Sequence, residues 1–273
     1  MIAYSIFFCL ILAASGFLLV RWFALTEFGT KSLDSAVRRP NFMPYYFPFA
    51  ILFGWLVLSA LGSGVAESLT SDLMDWRQKF ANYSVFFAIE IAAMVFIVKS
   101  ANLYFENGLA GFGLRIKGIF QDFAAAVVTF ITVWPFVMIA LAMVVYIGKL
   151  IVGPQFDMQK NEGLEVLLGY SQTSLRILMI LFAAVLTPIF EELIFRGLLQ
   201  THLRENLGYG PWKSIFFVSA IFAALHPLMH FPAIFILSLA MGYVYEKSGS
   251  LFRSIFIHTL FNSTSIAFAL MSN

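Results

Sequence analysis

The sequence predicts an all-α fold: a polytopic membrane helix bundle with about eight transmembrane helices. Three observations carry that expectation. Hydrophobic residues make up 60% of the 273-residue chain and charged residues 12%, about half the charged share of a soluble domain. Thirty-two phenylalanines add apolar surface that lipid accepts more readily than a soluble core. Charge-poor runs also recur along the whole chain, and at about 1.5 Å per residue they match a hydrocarbon core of about 30 Å.

The predicted spans are 2–20, 43–66, 83–98, 123–147, 174–199, 212–226, 231–245 and 251–271. The first lacks a basic segment before its apolar run and a convincing cleavage site after it, so it is expected to be a mature transmembrane helix. Glu90 falls inside the third span with no assigned partner. Pro135 is expected to kink the fourth, because its ring nitrogen cannot donate to the helical ladder. Between spans, 67–80 and 107–123 mix apolar and charged residues at helical spacing, which predicts interfacial amphipathic helices. Residues 1–120 thus read as transmembrane helices with interfacial segments, and 121–273 as a helix bundle whose polar motifs fall within 187–262.

Twelve Lys and Arg residues fall on one side of these spans and five, Arg77, Lys79, Lys149, Lys160 and Arg176, on the other. That asymmetry predicts a cytoplasmic heavy side with both termini outside. A net charge of +2 without dense basic clusters leaves the lipid bilayer, and not nucleic acid, as the expected partner. The single cysteine, Cys9, excludes an intramolecular disulfide and a cysteine-rich metal site. The C-terminal "ALMSN" carries no lipidation motif.

An ionisable side chain at membrane depth costs at least about 2.5 kcal/mol on insertion scales, so it tends to face the protein interior and mark a site. Three stretches qualify: "EELIFR" (191–196), "FAALH" (222–226) and "HTLFN" (258–262). Glu192 and Arg196 are one helical turn apart and can pair, a brace as readily as a functional element. Glu191 points about 100° away and has no charged partner one turn along its helix. A carboxylate so placed, among apolar residues, is the setting of a general base. His226 and His258 each read singly as hydrogen-bonded core histidines, but their depths overlap with that of Glu191, and Asn262 lies one turn beyond His258 on the same face.

A glutamate and a histidine can activate water, and a second histidine with an asparagine can donate to an oxyanion. Glu191, His226 and His258 also make a plausible three-ligand site for zinc or another divalent metal. Other hydrolytic designs find less support: there is no HExxH, the five aspartates fall at helix ends or in loops, and no serine occupies a clear nucleophile motif, although "GSG" at 62–64 leaves a serine design open. His230 follows His226 by four residues, but Pro227 disfavours the helix that a metal pair would need. His202 reads as an interfacial residue beside Arg204 and Glu205.

In this order, "EELIFRG", "FAALH" and "HTLFN" resemble the CPBP family, the CAAX prenyl protease and bacteriocin-processing membrane proteins also called Abi. The run "MGYVYEKSGSLFRSIFIHTLFN" resembles that family's final segment. The resemblance covers about residues 170–270 and implies a multi-helix intramembrane endopeptidase acting on a membrane-associated peptide or protein. It implies Glu191 as the base that activates water, His226 assisting, His258 and Asn262 as the oxyanion hole, and Glu192 with Arg196 supporting the site. A metal-free glutamate mechanism is favoured, with no cofactor, in a prokaryotic cell membrane. The competing expectation is a non-catalytic membrane scaffold that regulates a partner such as a sensor kinase or confers bacteriocin immunity. A transporter would predict halves related by a repeat, and none is detected. Substrate identity, prenylation of the substrate and oligomeric state are not encoded in these motifs.

Overall fold

The computed structural model describes residues 2–27, 29, 31–158 and 161–272, so Lys160, one of the five charges expected on the outer side, lies outside the described residues. Ten helices occur in order among the described residues: α1 Ile2–Leu25, α2 Phe47–Leu69, α3 Asp75–Tyr104, α4 Gly108–Phe112, α5 Ile119–Val152, α6 Glu162–Gly169, α7 Thr173–Asn206, α8 Pro211–Ala224, α9 Phe231–Ser248 and α10 Leu251–Met271. The described residues contain no strand, only one isolated bridge between Asn41 and Phe105. Seven of the helices are long and apolar enough to cross a bilayer. The eighth apolar helix, α8, has 14 residues, about 21 Å at 1.5 Å per residue. The protein is therefore an integral, multi-pass helical membrane protein, and exposed residues such as Leu10, Phe17, Leu61 and Ile151 have lipid as their natural solvent.

Neither expected interfacial helix forms as one piece. Over 67–80 the chain finishes α2, turns and starts α3. Gln78 Nε2 donates to the carbonyls of Ser71 and Leu73, both at 2.9 Å, and ties that turn. Asp75 stands in the first turn of α3, where a carboxylate complements the helix dipole. Over 107–123, Gly113 and Gly118 have φ of 105° and 91°, a left-handed backbone that breaks the helical run into α4 and the start of α5. Helix α5 continues through Pro135.

The described chain resolves into two compact units that interleave along the sequence. The first comprises Met1–Arg38, Arg115–Gln159 and Gly208–Ile257. Here α1 packs on α5, and α9 packs on both α5 and α8. Ser15 Oγ donates to Ile131 O at 2.9 Å, and Trp22 Nε1 donates to the Tyr243 hydroxyl at 2.8 Å. Asp122, in the first turn of α5, accepts from Ser250 Oγ and Arg253 Nε, each at 2.6 Å.

The second unit comprises Arg39–Leu114, Lys160–Leu207 and His258–Asn273. Its core joins Phe87 of α3, Val166 and Leu167 of α6, and Leu175, Met179 and Phe182 of α7. The α6 segment forms between two predicted spans; Asn161 caps it by accepting from Gly163 N at 2.9 Å. His202, expected at the interface, is instead 1% exposed, and the rings of Tyr45 and Phe49 meet it edge-on. Gly197 allows α4 to approach α7, since a Cβ there would come within 2.2 Å of the Phe112 ring.

Candidate active site

Helix α7 is not uniformly α-helical. Residues 182–186, 193–200 and 202–206 form wider, π-type turns, a feature frequent at functional sites. The first of them has a traceable local cause. Thr187 N–H donates to Phe182 O, one residue further back than in an α-helix. The carbonyl of Ala183 thereby loses its usual donor, and the next residue along, Pro188, has no N–H to offer. A buried carbonyl must find another partner. Asn262 Nδ2, from α10, supplies it at 2.8 Å.

One turn later come the two glutamates. Glu192 is 0% exposed and accepts on Oε1 from Arg196 Nη1 at 2.8 Å; Arg196 is also 0% exposed. This is the one-turn pair that the spacing predicts. The same oxygen lies 2.9 Å from His258 Nδ1. A carboxylate accepts only, so Nδ1 carries the proton and the ring orientation is fixed. The other ring nitrogen, Nε2, lies 3.5 Å from Glu191 Oε2. Glu191, lacking a charged partner one turn along its own helix, thus meets a titratable ring from α10, and its side chain keeps 18% exposure while that of Glu192 has none. The result is a linked series: Arg196, Glu192, His258, Glu191.

Two further functional candidates, Asn262 and His226, bond to backbone carbonyls. Asn262 shares α10 with His258 and commits one amide hydrogen to Ala183, leaving its second. His226 belongs to the first unit. Helix α8 stops at Ala224, and His226 Nδ1 donates to Phe222 O at 2.8 Å, so Nε2 is its free ring nitrogen. His230 closes a short 3-10 turn after Pro227, consistent with the helix break that the proline predicts. Among the described residues, no three His, Cys, Asp or Glu side chains converge as a metal's ligands would.

Sequence reasoning assigns Glu90 no partner. In the structure it is 0% exposed and accepts on Oε2 from Thr187 Oγ1 at 2.9 Å. It is also close enough to Glu191 for the two carboxyl groups to interact electrostatically. Its presence in an apolar span was the available signal; the partner, 97 residues away, was not readable.

Comparison with known proteins bears on the same part of the chain. An uncharacterised protein of Bacillus subtilis (strain 168), YpbD, is 34% identical over 89 residues, which are 31% of this chain and 42% of that protein. The aligned region thus spans less than half the length of this curated relative. No solved structure matches the chain. Residues 173–264 match the model of the family described as type II CAAX prenyl endopeptidase Rce1-like. That segment holds Glu191, Glu192, Arg196, His226, His258 and Asn262, and over it the chain is similar to the Rce1-like CAAX prenyl endopeptidases of the CPBP type.

Proposed function

We propose that this protein is an intramembrane endopeptidase that hydrolyses a peptide bond in a membrane-associated peptide or protein, with Glu191 as the general base. The observation that carries the reading is the linked series Arg196, Glu192, His258, Glu191, buried at its Arg196 end and open at Glu191. A charge series sealed at one end and reachable at the other has one exposed group available to a substrate. Glu191 takes a proton from water, whose oxygen attacks the scissile carbonyl carbon. The C–N bond then breaks as Glu191 returns that proton to the departing nitrogen.

Glu192 holds His258 through Nδ1, in the manner of a carboxylate that orients a catalytic imidazole. A proton on His258 Nε2 then faces the reaction side and serves the developing oxyanion, together with the second amide hydrogen of Asn262. Arg196 offsets the charge of Glu192 within the buried pair. By its motif position His226 assists Glu191. This mechanism uses the side chains themselves, without a cofactor. The family match supports the class of reaction; the bacterial relative supports a prokaryotic cell membrane, and the charge asymmetry supports both termini outside.

The test is hydrolysis of a library of membrane peptides by the detergent-purified protein, comparing wild type, Glu191→Gln and a chelator-treated sample. Cleavage that disappears in the variant and survives chelation is the expected result. Equal cleavage by wild type and variant would remove Glu191 from the mechanism. Loss on chelation as well would replace water activation by glutamate alone with a divalent metal held by Glu191, His226 and His258. A scaffold would keep its phenotype in Glu191→Gln.

A further inference from the structure

Thr187 departs from what many helical hydroxyl groups of this protein do. Within the helices, Ser15, Ser84, Thr129, Thr132, Ser248 and others donate to the carbonyl four residues back, the usual resting place of a helical hydroxyl. For Thr187 that carbonyl is Ala183 O, and it is already engaged by Asn262. The Thr187 hydroxyl turns instead to Glu90 of α3, at 2.9 Å.

Glu90 has no evident structural reason to be a carboxylic acid. It is fully buried, no cation pairs with it among the described residues, and its Oε1 finds no hydrogen-bond partner among them. A carboxyl group in the middle of an apolar span is costly to insert, and bracing a helix does not require one. Its single bond is to the residue one helical turn before Glu191, with Pro188 between. The turn carrying Glu191 comes after a wide π-type segment and a proline, and both weaken the backbone ladder there. Side chains from α3 and α10 replace what the ladder lacks.

We propose that Glu90 is a positioning residue of the site: by holding the Thr187 hydroxyl it fixes the turn on which Glu191 stands. The kinetic consequence rests on the endopeptidase reading; the structural one does not. Misplacing a catalytic group by about 1 Å can cost about 100-fold in rate, so the clamp should appear in kcat and not in KM.

The experiment uses the full chain in detergent with four variants: Glu90→Gln, Glu90→Leu, Thr187→Val and the Glu90→Leu/Thr187→Val pair. Leucine and valine are apolar and suit a membrane interior, and glutamine keeps an oxygen that accepts from Thr187. Two quantities are read: kcat and KM for a cleaved membrane peptide, and backbone hydrogen exchange across 187–192. Glu90→Leu and Thr187→Val should each lower kcat by about 10-fold or more at unchanged KM. Glu90→Gln should stay near wild type, and the pair should be no worse than either single change, because all three remove one shared bond. Exchange across 187–192 should quicken in the Leu and Val variants and not in Gln. Loss in Glu90→Gln equal to that in Glu90→Leu, additive losses in the pair, or unchanged exchange in Glu90→Leu would each overturn the proposal. If the wild type cleaves no peptide, the endopeptidase reading falls by itself, and the exchange pattern still decides the clamp.

Discussion

The two units each bury an acid with an arginine, and the two clusters are built differently. In the first unit, both carboxylate oxygens of Asp122 are engaged, one by Ser250 and one by Arg253, whose side chain is 31% exposed. In the second, Glu192 and Arg196 are sealed from solvent, yet one Glu192 oxygen has no hydrogen-bond partner among the described residues, and Glu191 faces a histidine across 3.5 Å. A carboxylate with every acceptor used is a staple. One placed beside a titratable ring, with capacity unspent, is equipped to handle protons.

The largest expected effect separates the two clusters by function. Glu191→Gln should lower the hydrolysis rate by about 1,000-fold or more, whereas Asp122→Asn should leave it within a few fold; peptide cleavage by both variants side by side checks this. Next is stability. Arg196→Leu takes the guanidinium from the buried Glu192 and leaves it the His258 N–H as its donor, which should cost about 3–5 kcal/mol, read by thermal denaturation in detergent. The Glu192→Leu/Arg196→Leu pair should lose less than that single change, because it removes both charges. A smaller loss, about 1–3 kcal/mol in the same measurement, is expected for Gly197→Ala, whose added methyl meets the Phe112 ring. The smallest effect should come from the half-open staple: Arg253→Ala is expected to cost at most about 1 kcal/mol. A large loss there would collapse the contrast between the clusters.

What could be read from the sequence depends on the range of the interaction. Helix positions rest on local composition, and the spans predicted from charge-poor runs reappear with shifted ends. Glu192 with Arg196 was legible because one helical turn separates them. The meeting of Glu191 with His258 was only half legible: the residue types and their depths were readable, but not which nitrogen faced which carboxylate. The pairs Asp122 with Arg253 and Glu90 with Thr187 join residues 131 and 97 positions apart, and nothing local announces them. The wide turns of α7 escaped for a related reason. A π-type turn persists where the carbonyl that it orphans finds a tertiary partner such as Asn262, and propensity says nothing of such partners. The expected helices at 67–80 and 107–123 misled because alternating character resembles amphipathicity even where a turn interrupts it.

The wide segment 182–186 also bears on how this sequence can drift. Each residue added to a helix rotates the next side chain by about 100°. A wide turn spends one extra residue on about one turn of rotation, so deleting one residue between Phe182 and Leu186 would let the ladder close into regular α-helix with Glu191 still on the side of His258. Substitutions there would leave the register intact. Segment 182–186 is therefore the stretch of α7 where a change of length should disturb Glu191 least.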